Sequence, residues 1–280
     1  MNKYFSYLFI LPGFMGFAVF FLVPFLVSIT YSFFSRPVGG DFVGLANYIS
    51  ILQSPAYLLG LQNTLIFMVI SVPLNMVLSL AAAMLIKNIG KYKSLFVLIF
   101  LIPLVIPSGS MVFFWRMLFN NDGFLNFLIT SMGFNEVNWL NSNYARLTIL
   151  FIFVWKNLGF NLVLFLSGLS NIPKEYYEAA RTDGANKFTI LKRITLPCLL
   201  PISIIVLLMS VINSFKVFRE VYLLMGAHPH ESVYMLQHFM NNNFFSLNYP
   251  RLTAATTLLS ITMALLAWGL ILLERKVAFE

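Results

Sequence analysis

The chain has 280 residues, of which 59% are hydrophobic and 10% are charged, whereas about 25% of the residues are charged in an ordinary soluble domain. This composition excludes an ordinary soluble enzyme or binding domain and indicates an integral membrane protein. The net charge of +8 does not indicate a nucleic-acid-binding protein, because the Lys and Arg residues are scattered between apolar stretches.

Apolar stretches along the chain are long enough to cross a membrane, which takes about 20 residues. They are continuously apolar, which favours helices over the alternating strands of a β-barrel. We place six of them, at about 4–34, 61–86, 94–118, 147–169, 199–224 and 252–273. We expect Pro103 and Pro107 to break the third. The sequence therefore predicts an all-α membrane protein with six transmembrane helices.

The distribution of Lys and Arg predicts the orientation, because cytoplasmic loops are enriched in these residues. With the N-terminus inside, 11 of the 18 Lys and Arg residues fall on the inner side and 4 on the outer side. The other three, Lys156, Lys216 and Arg219, fall at membrane depth. We therefore expect both termini, with Lys3 and Lys276, in the cytoplasm.

A polar, charged stretch lies between the fourth and fifth apolar stretches. We predict a helix over residues 173–183, a corner at Gly184 and a second helix over about 186–193, which Leu196 and Pro197 end. Glycine tolerates the backbone angles of a sharp corner, and the adjacent Ala179 and Ala180 permit close approach of another chain. An amphipathic helix lying in the lipid headgroups is an alternative that the residues leave open.

The same stretch carries a spaced motif: Glu178-Ala179-Ala180, three residues, Gly184, nine residues, Ile194, one residue, Leu196-Pro197. It resembles the signature of permease subunits of binding-protein-dependent ABC importers at every fixed position. Further segments resemble the sugar-type, maltose-permease branch, and its F-like partner in particular. They are Leu11-Pro12, Gly44-Leu45-Ala46-Asn47-Tyr48, Trp139-Leu140, Phe215-Lys216-Val217-Phe218 and Tyr222-Leu223-Leu224.

The resemblance implies a type I ABC importer permease fold, with residues 1–60 forming the first transmembrane helix and an outer loop. Residues 61–280 would form a five-helix core that includes a coupling loop, residues 171–198. The coupling helix would sit in a cleft of an ATP-hydrolysing subunit, with Glu178 paired to a basic residue there and Gly184 setting the corner. The implied coupling residues are Glu178, Ala179, Ala180, Asp183, Gly184, Ala185, Ile194, Leu196 and Pro197.

The resemblance also implies the partners and the location. They are a second permease subunit, two ATPase subunits, an extracytoplasmic solute-binding protein and the cytoplasmic membrane of a prokaryote. The chain has no Gly-rich phosphate loop, so we expect ATP and Mg²⁺ to bind the ATPase subunits. We expect no cofactor, no metal and no enzymatic activity in this chain.

Polar side chains at membrane depth are candidates for the substrate pathway, because each is costly unless it faces protein or water. The candidates are Asn157, Asn161, Ser210, Asn213, Ser214 and Lys216. Such amides and hydroxyls suit a sugar, but they also commonly join membrane helices. For Lys156 a contact with a neighbouring helix is favoured over substrate. Lys216 and Glu220 are four residues apart and are expected to pair.

The three histidines, His228, His230 and His238, are expected in a solvated outer loop over residues 226–251. We expect this loop and residues 120–146 to dock the extracytoplasmic binding protein. The predicted function is import of a mono- or oligosaccharide. Alternatives are import of another solute, such as glycerol phosphate or a polyamine, an intramembrane enzyme, and a membrane scaffold.

Overall fold

The computed structural model describes the backbone of residues 3–278 and the side chains of residues 9–272 and 275. The side chains of Lys3 and Lys276 lie outside the described residues. Over the described range the chain is helical, apart from loops and an isolated bridge between Phe34 and Phe42. The prediction of an all-α protein is confirmed.

The α-helices are α1 (Lys3–Phe17), α2 (Val23–Tyr31), α3 (Ala46–Leu52), α4 (Pro55–Lys87), α5 (Lys93–Val105), α6 (Ser108–Phe119), α7 (Phe124–Ser131), α8 (Ala145–Asn171), α9 (Lys174–Thr182), α10 (Lys187–Ile190), α11 (Leu196–Cys198), α12 (Leu200–Lys216), α13 (Phe218–Met225), α14 (Leu236–Phe245) and α15 (Tyr249–Ala278). Short π-helical segments, Ala18–Leu22 and Leu191–Thr195, connect α1 to α2 and α10 to α11.

Five helical segments within residues 3–278 are long and apolar enough to cross a membrane: Phe9–Tyr31, Pro55–Lys87, Ala145–Asn171, Leu200–Met225 and Tyr249–Leu272. They match five of the six predicted spans. The remaining span is a bent pair, Gly90–Val105 and Ser108–Ser131, with an angle of 96° between the two parts. The count is six when this pair is one span.

The break in the third span lies at one of the two predicted prolines. Ile106 is extended (φ −72°, ψ 126°) and Pro107 precedes the first turn of α6, because a proline disfavours helical geometry in the residue before it. Pro103 lies inside α5. The prediction that Pro103 also breaks the span is wrong, since neighbouring groups in a membrane protein can compensate for its missing N–H.

Three predicted boundaries differ from the structure. The predicted loops over residues 120–146 and 226–251 contain α7 and α14, respectively. The helix after the Gly184 corner does not end at Leu196 and Pro197, because the chain continues through the π segment into α11. Pro197 lies inside this continuing helix, two residues after the π segment ends.

The chain divides into two compact units. One comprises residues 1–58 and 239–265; there the side chain of Asn47 donates to the carbonyl oxygens of Ser32 and Phe34, and Tyr57 packs edge-on against Phe239. The other unit comprises residues 59–238 and 266–280 and contains both candidate sites. The predicted division near residue 60 stays a prediction.

Two apolar clusters form the core of the larger unit. One is built around Trp115, Phe119 and Ile149, and the other around Leu162 and Phe165. Helices α5 and α8 approach closely beside the second cluster. A Cβ atom added to Gly159 would lie 1.8 Å from the carbonyl oxygen of Phe100, so glycine is what permits this approach.

Candidate functional site

The motif-bearing loop, residues 171–198, forms two helices that meet at a corner. Gly184 has φ +75°, a conformation that side-chain-bearing residues rarely adopt. Its N–H donates to the carbonyl oxygen of Arg181 (3.0 Å), and the N–H of Ala185 donates to that of Ala180 (2.9 Å). These two bonds form a Schellman motif that ends α9. The predicted corner is therefore present at Gly184.

The second helix of the loop begins directly after the corner. The side-chain oxygen of Asn186 accepts a hydrogen bond from the N–H of Thr189 at 2.8 Å, which caps the N-terminus of α10. The two short helices and the turn between them therefore have defined ends, and the direction of the chain is fixed on both sides of Gly184.

The motif residues lie mainly on the surface of this loop. The exposed ones are Glu178, Ala179, Asp183, Gly184, Leu196 and Pro197, and the half-buried ones are Ala180, Ala185 and Ile194. Two large side chains on the loop are also exposed, Tyr176 at 54% and Phe188 at 71%. Exposed aromatic rings such as these are typical of a surface that contacts another protein.

The loop is attached to the spans by a contact that sequence reasoning missed. The Lys87 amine, at the end of α4, donates to the carbonyl oxygen of Leu169 at 2.9 Å. It also lies 4.9 Å from the centre of the Tyr177 ring. The hydroxyl of Tyr177 is 3.4 Å from that of Thr195. Nothing local in the sequence indicates these partners of Lys87, because Leu169 and Tyr177 are more than 80 residues away along the chain.

A cleft of about 300 Å³ lies between the α5–α6 break, α8 and the α12–α13 junction. It brings together three of the predicted pathway residues, Asn157, Asn213 and Lys216. Its other polar lining residues are Ser108, Lys156, Arg219 and Glu220. The break between α5 and α6 and the interruption of the helix at Val217 both line this cleft.

An ion pair crosses the cleft wall. Lys156 pairs with Glu220 and donates to the hydroxyl of Ser108 at 2.5 Å, and that hydroxyl donates to Glu220 at 2.9 Å. The expectation of a helix-to-helix contact for Lys156 is confirmed. The predicted pair between Lys216 and Glu220 is wrong, because Val217 separates α12 from α13 and the carboxylate is bonded to α6 and α8.

The other predicted pathway residues lie outside the lining of this cleft. The Asn161 amide donates to the Ser210 hydroxyl at 2.8 Å, which joins α8 to α12 in the buried core. The Ser214 hydroxyl donates to the carbonyl oxygen of Val211 at 2.7 Å. The Asn161–Ser210 bond therefore stabilises helix packing, whereas the Ser214 bond lies within α12.

His238 is fully buried, so the prediction that all three histidines are solvated is wrong for this residue. Its Nδ1 accepts the N–H of Met235 at 3.0 Å, and its ring centre lies 4.7 Å from that of Phe218. Its pKa is lowered to about 4, mainly by burial and in smaller part by the nearby His228. The sequence did not show that residues 236–245 would fold as a helix and enclose this ring.

A known protein family matches most of this chain. The family described as "Binding-protein-dependent transport system inner membrane component" matches residues 75–278, which include the cleft and the entire motif-bearing loop. The chain belongs to this family. It is therefore a multi-pass membrane permease, a transport subunit, as the motif predicted.

Two relatives illustrate the match. The permease is 34% identical over 227 residues to the arabinooligosaccharides transport system permease protein AraP of Bacillus subtilis (strain 168), covering 78% of this chain and 71% of that protein. It is 31% identical over 226 residues to the trehalose/maltose transport system permease protein MalF of Thermococcus litoralis, covering 80% and 76%.

A solved structure shares the fold. A chain of a bacterial ABC transporter involved in the import of the acidic polysaccharide alginate superposes with a TM-score of 0.86 at 20% sequence identity. The superposition covers 98% of this permease and 96% of that chain. The predicted ABC importer permease fold is confirmed.

Proposed function

We propose that this permease is one transmembrane subunit of an ABC importer that moves a carbohydrate across the cytoplasmic membrane of a prokaryote. The observation that carries the proposal is the complete motif folded as two exposed helices around Gly184, in a chain that belongs to the binding-protein-dependent family. The names of its relatives support a carbohydrate substrate: AraP is a permease for arabinooligosaccharides and MalF one for trehalose and maltose.

The motif-bearing loop is the proposed coupling site for an ATPase subunit. Glu178 is exposed and suits a charge-assisted hydrogen bond to a basic residue of that subunit. The contact surface comprises Glu178, Ala179, Ala180, Asp183, Gly184, Ala185, Ile194, Leu196 and Pro197. Through Lys87 and Tyr177 a movement of the loop reaches the ends of α4 and α8, which is how ATPase closure would rotate the spans.

The remaining partners follow from the same proposal. A second permease subunit completes the pore, a second ATPase subunit binds it, and an extracytoplasmic solute-binding protein delivers the sugar. ATP and Mg²⁺ bind the ATPase subunits. In the cleft, Asn157, Asn213 and Lys216 contact the substrate. Asn161, Ser210 and Ser214 join the pathway only in a conformation in which α8 and α12 separate.

The first test is purification of the tagged chain, co-expressed with its native gene neighbours, in mild detergent with mass spectrometry of what co-purifies. We expect a second six-span protein and two copies of an ATPase. The Glu178→Lys variant is expected to lose the ATPase, whereas Glu175→Lys, on the same helix, is expected to retain it. A chain that purifies alone or as a homo-oligomer would refute the coupling role.

The corner is tested in the same preparation. Gly184→Ala places a side chain at φ +75°, and Gly133→Ala does the same at φ +84° in a different loop. Neither added Cβ would meet an atom within 4 Å, so the two variants differ only in where the backbone strain acts. Loss of the ATPase in Gly184→Ala and its retention in Gly133→Ala is the expected result. Equal loss would assign the effect to general instability.

A further inference from the structure

The cleft holds more positive charge than its own carboxylate balances. Four charged side chains line it: Lys156, Lys216, Arg219 and Glu220. Glu220 is bonded to Lys156 and to the Ser108 hydroxyl. Lys216 and Arg219 form no ion pair with any side chain in residues 9–272 or 275. Two cations in the cleft therefore lack a counter-charge.

These two cations lie close together along the chain. Lys216 ends α12 and Arg219 lies in the first turn of α13, three residues later. Both are exposed, and both fall within the candidate span Leu200–Met225. A cation at membrane depth is costly unless it faces water or an anion. The cleft supplies the wet surface, and an anion bound there would neutralise the two cations.

We propose that the cleft binds an acidic carbohydrate, whose carboxylate or phosphate group contacts Lys216 and Arg219. This inference rests on the proposed function and narrows its substrate class. The guanidinium of Arg219 offers paired donors that match the two oxygens of such a group. The amides of Asn157 and Asn213 line the same cleft and can bind the neutral hydroxyls. A volume of about 300 Å³ suits one or two sugar rings.

Two other sources could supply an anion at this place, and the test distinguishes them. A lipid headgroup carries the same phosphate chemistry. A carboxylate of the second permease subunit would neutralise the cations permanently. The decisive property of the proposed site is that it stays electropositive and water-accessible in the assembled transporter until an acidic sugar enters.

The experiment measures this property by cysteine modification in the purified complete transporter, reconstituted in phosphatidylcholine vesicles. In a Cys198→Ala background, Asn213→Cys places a thiol in the cleft and Ser131→Cys places one on the exposed end of α7. Each is reacted with the anionic sulfonatoethyl and the cationic trimethylammonium-ethyl methanethiosulfonate. We expect the anionic-to-cationic rate ratio to be about tenfold higher at Asn213→Cys. Adding Lys216→Gln and Arg219→Gln is expected to abolish the difference.

Sugars are then tested for protection of the Asn213→Cys thiol. Trigalacturonate and glucose 6-phosphate are expected to slow its modification, and the neutral galactotriose at equal concentration is expected to have little effect. Equal protection by the neutral and acidic sugars would overturn the proposal, and so would protection by none of them. A thiol that reacts with both reagents at the same ratio as Ser131→Cys would show that a partner carboxylate already neutralises the cations.

The lipid source is tested by adding phosphatidylglycerol to the vesicles. If the anionic lipid suppresses the rate ratio as strongly as trigalacturonate does, the occupant is a headgroup and the proposal fails. ATP-driven uptake separates this inference from the proposed function. If the transporter takes up neutral sugars and the anionic-to-cationic rate ratio at Asn213→Cys is not raised, the acidic substrate is overturned and the proposed importer function stands. Failure to take up any carbohydrate would overturn the proposed function itself.

Discussion

The Lys87 ammonium lies 4.9 Å from the centre of the Tyr177 ring while it donates to the carbonyl oxygen of Leu169. One side chain thus connects the end of α4 to the last turns of α8 and to α9. A cation near the C-terminus of a helix is favourably placed with respect to the helix dipole. The Lys87 side chain therefore fixes the start of the motif-bearing loop on both sides of Ile172, at Leu169 in α8 and at Tyr177 in α9.

Removing the Lys87 ammonium should loosen α9. A cation–π contact and a charged hydrogen bond together contribute about 2 kcal/mol, so Lys87→Met is expected to speed amide exchange in Lys174–Thr182 by about thirtyfold. Hydrogen–deuterium exchange with mass spectrometry measures this. Lys91→Met is the matched control, because the Lys91 amine lies 5.2 Å over the Tyr92 ring and does not contact the loop. Similar exchange in both variants would contradict the proposed attachment.

Breaking the Lys156–Glu220 pair from one side should destabilise the permease. Lys156→Met leaves a carboxylate with 12% of its side chain exposed, and an unpaired, largely buried charge costs about 3 kcal/mol. The double variant Lys156→Met with Glu220→Gln should recover most of that loss. Denaturation of the four proteins in a double-mutant cycle measures the coupling. Additive effects of the two substitutions would refute the pair.

A side chain at Gly159 should separate α5 from α8. Its Cβ would lie 1.8 Å from the carbonyl oxygen of Phe100, and backbone cannot yield as a flexible side chain can. We expect Gly159→Ala to cost about 3 kcal/mol, visible as a lower thermal midpoint and a lower yield of folded protein. Gly109→Ala, whose Cβ meets nothing within 4 Å, is expected to leave the midpoint unchanged or raise it slightly.

Acid should destabilise the segment around His238. Its folded-state pKa is about 4, below the usual value of 6.5, so between these values the unfolded state binds the proton and the folded state does not. Stability is fully present above about pH 6.5 and falls as the pH drops toward 4, by about 2 kcal/mol at pH 5. Thermal denaturation at pH 7 and pH 5 measures the difference. His238→Asn should remove it, and His228→Asn should retain most of it. An unchanged slope in His238→Asn would refute this assignment.

The sequence by itself determined the membrane class, five of the six spans and the corner at Gly184. These follow from local physics, since a span needs a continuous apolar run and a sharp corner favours a glycine. The spaced motif further identified the family, because its residues lie within 20 consecutive positions, Glu178–Pro197. The predicted coupling and pathway roles themselves stay proposals.

Only the tertiary structure decided which charges meet. Lys216 lies four residues before Glu220, a spacing that predicts an ion pair along a helix, but Glu220 pairs with Lys156, which is 64 residues away in sequence. The contacts of Lys87 with Leu169 and the burial of His238 are equally non-local. Such contacts depend on how helices cross and where they break, which the side-chain pattern along one helix does not specify. The unpaired cations of the cleft follow from that packing alone.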